Sequence, residues 1–144
     1  MAVWQFDVSI ASSSSERALS PTQTHFAEIA LSALLGPPQA MFEDWLFFGD
    51  KNGSRVDLVR IDGGGCELSA RIDAREEADK FITVVVAVAD SMNCSFFDDN
   101  GAAIAASHDE LRKAVMASAA WRYALDPNLF CQRPDADDAV RRTS

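Results

Sequence analysis

No stretch of the chain approaches the roughly 20 consecutive apolar residues that a membrane-spanning helix requires. The longest candidate, Phe81 to Ala89, is too short and is interrupted by Thr83. The first residues, MAVWQFDVSI, show no basic segment leading into an apolar one. A secretory signal is therefore not expected, and the cytoplasm is the simplest compartment. Cysteine is sparse and odd in number: Cys66, Cys94 and Cys131 are far apart, which argues against a disulfide framework and suits reduced thiols. Cys66 and Cys94 read as small buried hydrophobes. Basic residues are also short, 13 against 22 acidic, for a net charge of −9. Phosphate recognition is built on clustered Lys and Arg, so neither nucleic acid nor a membrane is the expected partner. An acidic surface is suited instead to steering a basic protein.

Catalytic signatures are missing as well. Histidine occurs only as His25 and His108, and no G-x-S-x-G elbow or Cys-His signature surrounds a nucleophile. The chain contains neither G-x-G-x-x-G nor G-x-x-x-x-G-K-[ST]. Gly63-Gly64-Gly65 joins two strand patterns rather than opening a helix, so it reads as a hairpin turn, not a phosphate loop. The run Ser12 to Ser15 reads as a loop for the same reason. Zinc ligation wants closely spaced Cys and His, which the sequence does not offer. No catalytic residue, cofactor-binding residue or metal ligand is assigned, and no cofactor is expected.

At 144 residues the chain has the length of a single domain with a substantial core. Hydrophobic residues make up 48% and charged residues 24%, which is ordinary globular composition. Trp4, Phe6, Val8 and Ile10 alternate with polar residues and predict a half-buried strand. Ser20-Pro21 predicts a helix start and Gly36-Pro37-Pro38 its end, with Phe26, Ile29, Ala30 and Ala33 on the apolar face and His25 at its edge. Trp45 to Phe48 is apolar on both sides, as expected of a covered central strand or of one that meets a partner. A turn at Asp50 to Gly53 leads to a strand over 55–61. Its alternation slips at Val59 and Ile61, which predicts a bulge. Cys66 to Ile72 alternates strictly and reads as a further strand. Asp73 with Glu76 predicts a capping box for a deeply buried helix reaching Met92, with Ala78, Phe81, Val85, Val88 and Ala89 in its stripe.

The stretch NCSFFDDNGAAI, from Asn93 to Ile104, admits two readings: a metal site at Asp98 and Asp99, or a hairpin. Aligned on Gly101, a calcium loop would have Phe96 at its first position and Ser107 at its last, neither of them a suitable ligand. Asn100-Gly101 between short apolar segments is instead a strong hairpin signal. Ser107 and Glu110 predict a cap for a last helix carrying Leu111, Ala114, Val115 and Ala119.

These readings give an α+β class: an antiparallel sheet packed with about three helices in the order β-α-β-β-β-α-β-β-α. Residues 1–125 form the expected domain and 126–144 a loosely ordered C-terminal tail containing Cys131. A short, acidic, motif-poor α+β chain is similar in general character to many bacterial immunity proteins and antitoxins, which occlude a partner; the similarity is compositional and transfers no residue roles. The expected function is thus a small cytoplasmic protein-binding module that neutralises a basic toxin. Trp45, Phe47, Phe48, Asp98, Asp99 and Trp121 are its candidate contacts, because interfaces favour large rigid side chains with polar surroundings. The alternatives are a regulatory or ligand-sensing domain, or a small enzyme using His108 with Asp109 or Asp98. The sequence leaves the oligomeric state open.

Overall fold

The structure is a computed structural model that describes residues 5–75 and 78–118. Its elements are β1 (Gln5–Ala11), β2 (Ala18–Leu19), α1 (Pro21–Leu35), β3 (Gln39–Phe42), β4 (Trp45–Gly49), β5 (Arg55–Arg60), β6 (Cys66–Asp73), α2 (Asp79–Ser91), β7 (Ser95–Phe97), β8 (Ala103–Ile104) and α3 (His108–Met116). All strand pairs are antiparallel, in the order β3-β4-β5-β6-β1-β7-β8. β2 pairs with β6 beyond the end of β1, so the serine loop is an excursion in what is otherwise one line of chain along β6. The three helices and the single antiparallel sheet form the α+β domain that the alternation patterns predict. The short strands β2 and β3 are additions to that pattern. Trp4, Ala119 and the expected tail with Cys131 lie outside the described residues.

Alternation decides what the sheet buries. Val8, Ile10, Phe48, Val56, Leu58, Leu68, Ala70 and Phe96 point to the helices and are almost fully buried. Leu31 of α1, Ile82, Val85 and Val88 of α2, and Leu111 and Val115 of α3 complete this core. Removing each of the larger of these side chains from water contributes about 1.5–3 kcal/mol, and the Ala70 methyl about 0.8 kcal/mol. Cys66 and Cys94 join the same core as free thiols.

Several local features depart from the sequence patterns. α1 is capped as predicted, with Ser20 Oγ accepting from the Gln23 N–H at 3.1 Å and Gln23 Oε1 accepting from the Ser20 N–H at 2.9 Å. Its core face, however, is Thr24, Ala27 and Leu31, while Phe26 (41% exposed) and Ile29 (58% exposed) point outward. α1 carries two apolar stripes, and periodicity alone cannot say which one meets the sheet. α2 begins at Asp79 rather than Asp73, and Ala78 at its N-cap makes no side-chain cap. Asp73 ends β6, where its carboxylate accepts from the Arg75 backbone N–H at 2.9 Å and from the Arg75 guanidinium at 3.0 and 2.7 Å. Glu76 lies outside the described residues. β5 pairs in continuous register with both neighbours, and the irregularity falls instead between Ala40 and Phe42. Val59 and Ile61 break the alternation because they are exposed apolar residues, each 38% exposed.

The hairpin at 98–102 forms as expected. The Gly101 N–H donates to the Asp98 carbonyl at 2.9 Å and the Asp98 N–H to the Ala102 carbonyl at 3.1 Å. Gly101 has φ +80°, the left-handed conformation that closes a three-residue loop of this kind.

Candidate functional site: an acidic-rimmed aromatic corner

The outer face of the sheet, opposite the helices, is mostly polar and internally paired. Arg55 Nε lies 3.1 Å from Asp57 Oδ1, and Arg71 Nε lies 3.1 Å from Asp7 Oδ1. Arg55 also places its guanidinium over the Phe47 ring, 5.8 Å from the centroid, and donates to the Lys51 carbonyl at 2.9 Å. Burial pushes the Asp57 carboxyl above its ordinary range, while Arg55, the Trp45 indole and Arg71 pull it back. The charges of these groups are paired with one another and leave little to offer a ligand.

The corner where β3, β4 and β5 meet is different. The register places Phe42, Trp45 and Val59 side by side and continues to Glu67 on β6. Phe42 is 69% exposed, the largest exposure among the bulky apolar residues of the described chain. Its ring packs on that of Trp45 with centroids 5.6 Å apart. Trp45 is half-buried, with its indole nitrogen inside and the rest of the ring beside Phe42. Four exposed carboxylates lie on the strands and turns next to this patch. Glu43 and Asp44 form the β3–β4 connection, Glu67 lies across from Val59, and Asp62 follows Ile61. Among the described residues none of the four forms an ion pair. Arg60 pairs with Glu28 on the helix side, and Arg17 donates to Ser9 Oγ at 3.0 Å. The arrangement is an apolar centre with an acidic border.

The residues singled out from the sequence are not brought together. Trp45 belongs to the corner. Phe47 and Phe48 are 2% and 0% exposed: Phe48 packs in the helix-side core and Phe47 lies beneath Arg55, so neither presents a surface to a partner. Asp98 and Asp99 sit on the β7–β8 hairpin, and β7 is four strand spacings from β4, which is about 19 Å across the sheet. Asp98 Oδ1 already accepts from the Asn100 and Ala102 N–H groups, each at 2.9 Å, while Asp99 is exposed. Trp121 lies outside the described residues. Sequence reasoning does not reach Phe42, because Pro37-Pro38 conceals the short strand that follows. The two-residue spacing between Phe42 and Trp45, filled by Glu43-Asp44, is the hairpin signal that could have revealed it.

The enzyme alternative gains no assembled site among the described residues. His108 faces Asp79, with Nε2 3.8 Å from Oδ1, rather than Asp98, and Asp109 is exposed. Burial raises the thiols of Cys66 and Cys94, Thr24 lowering the first and Ser12 the second by hydrogen bonding, the reverse of what a nucleophilic thiolate needs. Among the described residues no three His, Cys, Asp or Glu side chains converge as a metal site, and no helix is long and apolar enough to cross a membrane. No family model, curated protein or solved structure matches the chain.

Proposed function

We propose that the protein is a small cytoplasmic binding module that occludes a basic protein partner, in the manner of an immunity protein or antitoxin, and that the Phe42–Trp45 corner is its contact. The observation that carries this reading is the exposed Phe42 ring packed on the half-buried Trp45, with Glu43, Asp44, Asp62 and Glu67 exposed nearby and forming no ion pair among the described residues. Hot spots combine large rigid anchors with a surrounding that excludes water. A border of one charge sign speeds the approach of a partner of the opposite sign and disfavours acidic competitors. The net charge of −9 acts in the same direction.

The test is affinity capture from cells of the source organism, using the whole chain as bait beside a Phe42→Ala/Trp45→Ala variant. The expected result is a basic protein retained by the wild type and lost with the variant. Toxicity of that protein should appear in a strain lacking the present chain. A captured protein indifferent to both substitutions, or unchanged survival of the deletion strain beside its toxin-carrying siblings, would overturn the reading.

A further inference from the structure

The corner and the strands beside it carry phenylalanine rings in two different settings. On the outer face of β4 and β5 the Arg55 guanidinium stands over the Phe47 ring, 5.8 Å from its centroid, and Asp57 Oδ1 lies 3.1 Å from Arg55 Nε. The register sets Asp57 directly opposite Phe47, so ring, guanidinium and carboxylate come from one pair of neighbouring strands. The set is closed to solvent, Phe47 being 2% and Arg55 6% exposed.

Trp45 precedes Phe47 by two residues on β4, and alternation places both on the same face of the sheet. Phe42 stands opposite Trp45 on β3, again on that face, and is 69% exposed. Glu43 and Asp44, both exposed, link Phe42 to Trp45. Ring and carboxylates thus recur at the corner. Among the described residues, however, no Lys or Arg stands over Phe42 or pairs with Glu43 or Asp44.

Chemistry selects the group that suits such a place. The face of a phenyl ring attracts a cation. A guanidinium is flat and weakly hydrated, so it can lie along the ring while its N–H edge donates to a carboxylate; an ammonium is a compact, strongly hydrated point charge and is less suited to doing both. An aliphatic side chain would cover the ring but strip water from the neighbouring carboxylates without giving them a partner.

We infer that the corner receives an arginine side chain of the basic partner, seated on the Phe42 ring and paired with the carboxylates of the Glu43–Asp44 connection, as Arg55 is seated on Phe47 and paired with Asp57. The inference rests on the corner reading and adds the side chain that the corner selects. The test titrates the full chain with capped tetra-arginine, tetra-lysine and tetra-citrulline peptides and follows the Phe42 and Trp45 ring signals by NMR. Citrulline keeps the shape of arginine without its charge. Tetra-arginine should move the Phe42 signals and bind more tightly than tetra-lysine, with tetra-citrulline the weakest. Phe42→Leu keeps an apolar side chain but removes the ring, and should weaken tetra-arginine binding by about 2- to 30-fold. Circular dichroism establishes that the variant is folded, and the arginine–lysine comparison on the wild type decides without any variant. Equal affinity for the arginine and lysine peptides, no movement of the Phe42 signals, or a folded Phe42→Leu that binds tetra-arginine as the wild type does would overturn the inference. None of these results reaches the corner reading itself, which is decided separately by capture of a basic protein and its loss with Phe42→Ala/Trp45→Ala.

Discussion

The separation of core aromatics from surface aromatics can be tested by comparing Phe48→Ala with Phe42→Ala. Phe48 is fully buried on the helix side of β4, across from Val56 and inside the cluster that α1 and α2 close over. Truncation removes the transfer free energy of the ring and leaves a cavity that the surrounding strands can fill only partly; Phe→Ala at such sites costs about 3–5 kcal/mol. That is a large share of the roughly 5–15 kcal/mol that holds a domain together. At about 3 °C per kcal/mol for a chain of this size, the midpoint should fall by about 10–15 °C. Phe42 keeps most of its surface in water and loses mainly its contact with Trp45, so its truncation should cost no more than about 1 kcal/mol. Urea unfolding followed by circular dichroism reads both values, with an unchanged dependence on denaturant showing that the unfolded states are alike. A Phe48→Ala loss below about 1 kcal/mol, or a Phe42→Ala loss clearly above about 1 kcal/mol, would refute the assignment of one ring to the core and the other to the surface.

Gly65→Ala should be more damaging than Gly63→Ala. A Cβ at Gly65 would stand 2.3 Å from the Leu19 carbonyl oxygen, a backbone atom that moves only if β2 leaves β6, whereas Gly63 has open space around it and a φ of +92°. The expected costs are about 1–3 kcal/mol for overpacking at Gly65 and about 1 kcal/mol for the left-handed backbone at Gly63; equal losses in urea unfolding would contradict this placement. Asp73 gives a pH signature. Burial pushes its carboxyl up, but hydrogen bonds and charge from Arg75 outweigh this and hold it below the ordinary range. A depressed folded-state value contributes stability that is present above the unfolded value and lost as pH falls through the folded one. Asp73→Asn should therefore be less stable than wild type at neutral pH, with the gap closing toward about pH 3 and below; a gap that stays constant on acidification would show that the carboxylate charge is not what stabilises this turn.

Strand alternation makes most of the architecture legible in one dimension. Val8 and Ile10, Val56 and Leu58, Leu68 and Ala70 all lie on the helix side because a period of two admits only two faces. Asn100-Gly101 fixes the last hairpin through the demand for positive φ at the glycine. The pattern is less informative where two solutions have equal local merit. In α1, the stripes Phe26-Ile29-Ala33 and Ala27-Leu31 are equally helical, and only the sheet determines which is covered. At Asp73 the acidic residues suit a helix start, yet Arg75 claims the carboxylate for a turn. The corner stays hidden for a related reason: Val59 and Ile61 resemble a register fault, whereas both are exposed and Val59 stands directly across from Trp45. An exposed apolar residue and a misaligned core residue look the same as a string of letters.

The central claim, that an acidic border steers a basic partner onto the Phe42–Trp45 corner, is tested most directly by the association rate of the captured partner with Glu43→Gln/Asp44→Asn as ionic strength is raised. Both side chains are exposed and form no ion pair among the described residues, so the fold should not register the change, and rim charges act on association more than on dissociation. The account predicts slower association at low salt, a shallower decline with added salt than in wild type, and a nearly unchanged dissociation rate. An association rate and salt dependence identical to wild type would contradict it.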